Sequence, residues 1–171
     1  RTLSKFSSGI WEYSVEGYYK RMSDYLDYRG GAKLLMNHHI ETDVINTQGH
    51  AYGVELQVKK QVGKLNGWMS YTYSRTFLRQ NDKRIEKPVN NGDWYPTEYD
   101  KPHDFKFVGN YKFTHRYSMS INVDYSTGRP TTIPAGQYYD ESTQSMRVYY
   151  TERNSYRIPD YFRTDISFNI E

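Results

Sequence analysis

Residues 103–130, HDFKFVGNYKFTHRYSMSINVDYSTGRP, alternate on both sides of a short break. His103, Phe105, Phe107, Gly109, Tyr111 and Phe113 share one parity, against Asp104, Lys106, Asn110 and Lys112 on the other. Beyond the break, Tyr117, Met119, Ile121, Val123 and Tyr125 oppose Ser118, Ser120, Asn122, Asp124 and Ser126. A period of two over runs of this length predicts β-strands, and the tight connection between them predicts an antiparallel hairpin. What lies against the aromatic side, protein core or lipid, decides the rest.

The same period marks four further segments: about 8–20, 49–60, 65–75 and 161–171. The spacing predicts an all-β chain, an antiparallel up-and-down meander of about six strands. Its connections alternate in length. Those around Gly63 and His115 are short, whereas 21–48, 76–102 and 128–160 are long. In a meander, alternate connections lie at the same end, so all the long loops are expected at one rim and both short turns at the other. Loops longer than about 15 residues are uncommon in compact domains, but long loops on one side and short turns on the other are usual in outer-membrane barrels. KLLMNHH (33–39) is the one short helical candidate.

Composition sharpens the choice. Tyrosine supplies 19 of the 171 residues while the mean hydropathy is −0.95, so the apolar face is largely built from rings that carry a polar tip. Such side chains suit a surface that is part apolar and part wet. No run of about 18 apolar residues exists, which excludes a transmembrane helix. Cysteine is absent, removing disulfides and thiolate metal sites. A formal charge of +3 from interspersed signs gives no basic stripe, so no nucleic-acid partner is expected. Phe105 and Phe113 are separated by roughly 25 Å of strand, which when tilted nearly crosses the apolar band of about 25 Å of a membrane barrel. Lipid is the better reading of the aromatic side, with Asp124, Arg163 and Asp165 on the inward parity.

Several segments then resemble one family. NNGDWYPTEYDKPHDFKFVGNYKF (90–113), YSTGRP (125–130) and NSYRIPDYFRTDISFNIE (154–171) are similar to TonB-dependent outer-membrane receptors, and GYYKRMSDYLDYRGGA (17–32) and GVELQVKKQVGKLNGWMSYTYSRTF (53–77) extend the likeness over nearly the whole chain. The branch resembled carries a carboxypeptidase-regulatory-like domain before the plug. The resemblance implies that residues 1–171 are a partial transmembrane β-barrel, late in a 22-stranded one, in the outer membrane of a Gram-negative bacterium. It implies as partners the outer-membrane lipid, the chain's own plug domain in the lumen, the TonB complex acting through that plug region, and a scarce solute, glycan or peptide as substrate. Nothing here resembles a plug, a TonB box or the closing strands, and the chain opens on Arg1 without a signal peptide, so it reads as a fragment of the receptor. The competing reading is a soluble β-sandwich binding module, for instance one for carbohydrate.

Candidate sites are few. No nucleophile elbow, phosphate loop or zinc-protease motif appears, so neither an enzyme nor a cofactor is expected. NHHIE (37–41) and YDKPHD (99–104) mimic metal ligand sets. Adjacent His38 and His39 point apart on extended chain, and Pro102 makes His103 and Asp104 a strand entry, so no metal is expected at either. On the long loops, Trp94, Tyr95, Arg153 and Arg157 combine contact area with directional donors and are the candidate ligand-binding residues, although aromatics on loops also pack loops together.

Overall fold

The computed structural model describes residues 2–7, 9–28, 44–80, 88–142 and 144–170. Seven strands form one antiparallel meander: β1 (Thr2–Ser7), β2 (Trp11–Tyr28), β3 (Val44–Lys60), β4 (Leu65–Arg79), β6 (His103–Lys112), β7 (Tyr117–Ser126) and β12 (Tyr161–Ile170). A short strand, β5 (Tyr95–Pro96), pairs with the far end of β4. The long connection after β7 carries two small ribbons of its own: β8 (Pro130–Thr131) with β11 (Tyr156–Arg157), and β9 (Pro134–Asp140) with β10 (Ser145–Tyr150).

The meander has one strand more than the expected six or so. β1 precedes the first alternating segment, so the open edges of the sheet are β1 and β12, and the segment from Ser8 onward is not an edge. The strands also reach further than expected. β2 continues to Tyr28 and β3 begins at Val44, which corrects the 21–48 loop boundary. The KLLMNHH helix candidate and the NHHIE motif lie outside the described residues.

Register sorts the side chains. One row of partners across the sheet reads Tyr13, Val58, Met69, Phe107, Val123 and Thr164; the next reads Val15, Leu56, Tyr71, Phe105, Tyr125 and Phe162. The opposite face reads Ser14, Gln57, Ser70, Lys106, Asp124 and Arg163, then Glu16, Glu55, Thr72, Asp104, Ser126 and Tyr161. Polar neighbours on that face bond across strands, as where the Ser120 hydroxyl donates to Asn110 Oδ1 at 2.6 Å. Trp68 and Val108 interrupt it with an apolar patch that alternation within β4 and β6 dictates.

Among the described residues no second sheet covers the apolar face. Ile166, Phe168 and Ile170 remain 58, 71 and 75% exposed, which a sandwich core would not allow. The sandwich reading therefore fails. β6, β7 and β12 have 10 residues each, the length that crosses a bilayer, whereas β2 and β3 have 18 and 17 and must rise beyond it. At the near end the chain turns tightly. Gly63 takes φ +106°, a left-handed conformation that glycine accepts without strain, to join β3 to β4. All the long connections leave from the opposite rim, where the tall strands project.

Candidate functional site

Most of the buried residues sit at that rim. Ile45, Thr47, Leu78, Tyr95, Thr97, Asp100 and Asn154 are all shielded, while the wall below has almost no protein core. A bulge in β2 between Met22 and Tyr25, with Asp24 at φ 55°, shifts the alternation, so that Asp27 pairs with Ile45 and shares the polar-parity side. Leu78 lies on that side too and is the partner of Tyr95. The second and third long connections thus fold over the polar face at its mouth.

Two carboxylates tie this cap together. Asp27 accepts from the Tyr95 hydroxyl at 3.0 Å and from Arg153 Nη2 at 2.9 Å, joining the top of β2 to both other connections. Arg153 Nη1 also donates to the Tyr28 carbonyl, and its guanidinium lies 5.6 Å over the Tyr95 ring. Burial, and then the negative charge of Asp27, push the Tyr95 phenol far above its ordinary pKa, so it stays a donor at any physiological pH. Asp100, whose side chain is fully shielded, accepts from Arg75 Nε at 3.2 Å, Arg157 Nη2 at 2.8 Å and the Thr76 amide at 2.8 Å. Arg157 Nη1 reaches the carbonyls of Asp100 and Gly128 at 2.6 and 2.7 Å. Gly128 lies so close to the Ile158 carbonyl that a Cβ has no room.

Asparagines complete the lattice. Asn90, at φ 47°, exchanges two bonds with the Arg153 backbone, accepting at 2.7 Å and donating at 3.1 Å. Asn154, at φ 54°, donates to the Pro96 carbonyl at 2.8 Å. Asparagine tolerates the left-handed region and its amide imitates a backbone unit, so it can do both.

Three of the sequence candidates, Tyr95, Arg153 and Arg157, meet in this cap, each engaged with protein. Trp94 does not join them. As the neighbour of Tyr95 on an extended segment it points to the other side, where it stays 42% exposed and edges onto His50 at 4.4 Å. Asp27, Asp100, Asn90 and Asn154 were not singled out in the sequence for this role. The only signal was the excess of Asp and Asn in segments rich in Tyr and Arg. His103 opens β6 as expected and its Nδ1 lies 2.8 Å from the Tyr71 hydroxyl. Among the described residues no three His, Asp or Glu side chains converge on a metal position.

On the polar face below the cap, Arg163 pairs with Asp165 at 2.9 Å and Lys106 with Asp104 at 3.8 Å. The geometry is that of a wall with one apolar and one charged face, roofed at one end by loops. No curated protein and no solved structure matches the chain. A family model described as TonB dependent receptor-like, beta-barrel, matches residues 3–170. The apolar outer face, the polar inner face and the roofed mouth are therefore those of a member of the TonB-dependent receptor β-barrel family, and the chain belongs to it.

Proposed function

We propose that these residues form part of the wall and the outer mouth of an active importer for a scarce solute, in the outer membrane of a Gram-negative bacterium. The observation that carries the reading is the pairing of a mainly polar wall with a cap held by side chains from the top of β2 and from the second and third long connections. A roofed polar passage suits a solute that is captured first and released inward later. The open edges of β1 and β12 support residues 1–171 being part of a larger barrel, because unpaired backbone groups in hydrocarbon cost several kcal/mol each, roughly, and only closure removes them. A plug in the lumen would meet Glu12, Lys59, Lys106, Asp124 and Arg163. Energy would come through the TonB complex acting on that plug, with no chemistry on the solute.

Trp94, Tyr95, Arg153 and Arg157 remain the candidate ligand contacts. Tyr95, Arg153 and Arg157 would reach a solute only when the cap opens and their protein partners are exchanged, whereas Trp94 is accessible from outside the wall. The test is uptake of labelled iron chelates, vitamins, glycans and peptides by cells with and without the full-length gene. One class should enter only when the gene is present, and a protonophore should stop it. Entry unaffected by the protonophore would refute active import.

A further inference from the structure

Near the short turns, the outward face of β4 and β6 has a gap. Gly67 and Gly109 are direct partners there, in register two residues from the Leu65–Tyr111 pair, roughly 7 Å of strand. Gly67 takes φ +153°, and a Cβ on it would strike the Val108 carbonyl, so its backbone demands glycine. Gly109 is different. Its φ is not positive, and a Cβ would meet only side chains, those of Phe107 and Ile121. What glycine does at 109 is leave the floor open. The result is an apolar notch of about 190 Å³ walled by Val58, Leu65, Met69 and Phe107. Lys60 closes its rim end: Nζ donates to the Leu65 carbonyl at 2.8 Å and lies 5.7 Å over the Trp11 ring.

The turns beyond the notch are cationic. Lys64, Lys112, His115 and Arg116 line a hollow of about 440 Å³, and all four are exposed. No Asp or Glu occurs in 56–81 or in 105–123. Glu12, at this end of β2, lies on the inner parity and accepts from Gln61 Nε2 at 3.1 Å. Notch and hollow join at Lys64–Leu65, so cations at head-group height adjoin an apolar slot open to lipid. Charge at the rim with apolar surface next to it is the complement of an anionic amphiphile. We propose that this corner of the wall binds one inner-leaflet phospholipid with an anionic head group. Its phosphate meets Lys60, Lys64 and Arg116, and the start of one acyl chain fills the notch. Lys112 keeps the inner parity of β6 and has no part in it. Basic clusters attract anionic lipid in general; the glycine-floored notch fixes where a single molecule sits. The proposal rests on the outward assignment of this face and on the short turns lying on the periplasmic side, which Ile166→Arg and Gly63→Cys test separately.

The experiment is native mass spectrometry of the full-length receptor, purified in detergent and exposed to phosphatidylglycerol or phosphatidylcholine with the same acyl chains. The wild type should retain phosphatidylglycerol about tenfold better. Lys60→Gln and Lys64→Gln together should remove that preference, the scale set by two cations at a membrane surface. Gly109→Leu fills the floor with a side chain suited to lipid and should lower retention of both lipids. Arg147→Gln, on the exposed β10 at the opposite rim, removes one charge far from the notch and should change neither. Equal retention of the two lipids by the wild type overturns the proposal, as does unchanged retention in the lysine or glycine variant, or an equal loss in Arg147→Gln. So does displacement by glycerol phosphate at matched concentration, which would mark a site for the free anion. If Gly109→Leu loses its heat-modifiable mobility, Gly109→Ala narrows the notch with the smallest side chain and answers the same question.

Discussion

Replacing Asp100 with Asn isolates the charge that binds the third connection to β4. The amide keeps an oxygen for the Thr76 N–H, so the 2.8 Å backbone contact survives. What is lost is the negative charge between Arg75 and Arg157, and the new Nδ2 turns a donor toward Arg157 Nη2. Breaking a fully buried pair costs about 3–5 kcal/mol. Asp100 is fully shielded, but the two arginines keep 26 and 30% of their side-chain exposure, so water recovers part of the loss. About 2 kcal/mol is the expected cost, which is about a 30-fold rise in local opening.

Amide hydrogen exchange on the full-length receptor reads that opening directly. The Thr97 amide, bonded to the Thr76 carbonyl, and the Ile158 amide, bonded to Arg129, report the cap. Amides of β6 and β7, paired along the wall, should not change. Arg157→Gln alone should approach the same effect, and the double variant should add little, since both remove one contact. A rise below about threefold in Asp100→Asn, or full additivity in the double variant, would show that the pair does not hold the cap.

Ile166→Arg on the outward face should cost about 2–4 kcal/mol at mid-membrane depth and reduce heat-modifiable barrel in outer-membrane fractions, whereas Ser167→Arg, one residue away on the inner face, should assemble normally. These 171 residues contain no cysteine, so Ser142→Cys should react with an impermeant maleimide on intact cells and Gly63→Cys only after the cells are broken; the reverse would invert the orientation. Asp160 is held below the ordinary carboxylate pKa by the Tyr125 hydroxyl first and the Gly128 amide second. Its contribution is therefore complete above the ordinary aspartate range and lost as pH falls through the lowered value, so pepsin should nick 128–134 more readily at about pH 2 than at about pH 4, and Asp160→Asn should abolish the difference. Residues 1–171 expressed alone in detergent-free buffer should aggregate, because two open edges and an apolar face are exposed; a monodisperse monomer with a cooperative melt would contradict the larger barrel.

The wall was legible because its cause is local. Alternation in β6, β7 and β12 is set by which face each residue meets, and period two shows it without knowledge of the partners. The upper part of β2 was not legible, since the bulge at Asp24 breaks the period in RMSDYLDY just where the strand leaves the bilayer. β1 was missed because TLSKFS is too short and mixed to show a period. The cap lay further beyond sequence reasoning. Asp27 and Arg153 are separated by 126 positions, and nothing local pairs them. The split between Trp94 and Tyr95 could have been read, because neighbours on extended chain face opposite ways, and it separates a residue open to the outside from one buried in the roof.

Wall and cap gain their stability from different sources, and this bears on the proposed transport. Ile170, Phe168 and Phe162 on the wall contribute only when lipid covers them. That burial does not change when a solute passes. Tyr95, Leu78 and Ile45 are covered by the chain itself, and the links between connections are mostly ion pairs and single hydrogen bonds. Each such link is worth about 1–3 kcal/mol, so several can be exchanged for contacts with a bound solute without touching the wall. Asp27 and Asp100 already gather the cationic and phenolic donors of the cap. Under the import proposed above, a solute with carboxylate or other anionic oxygens would compete for the same donors.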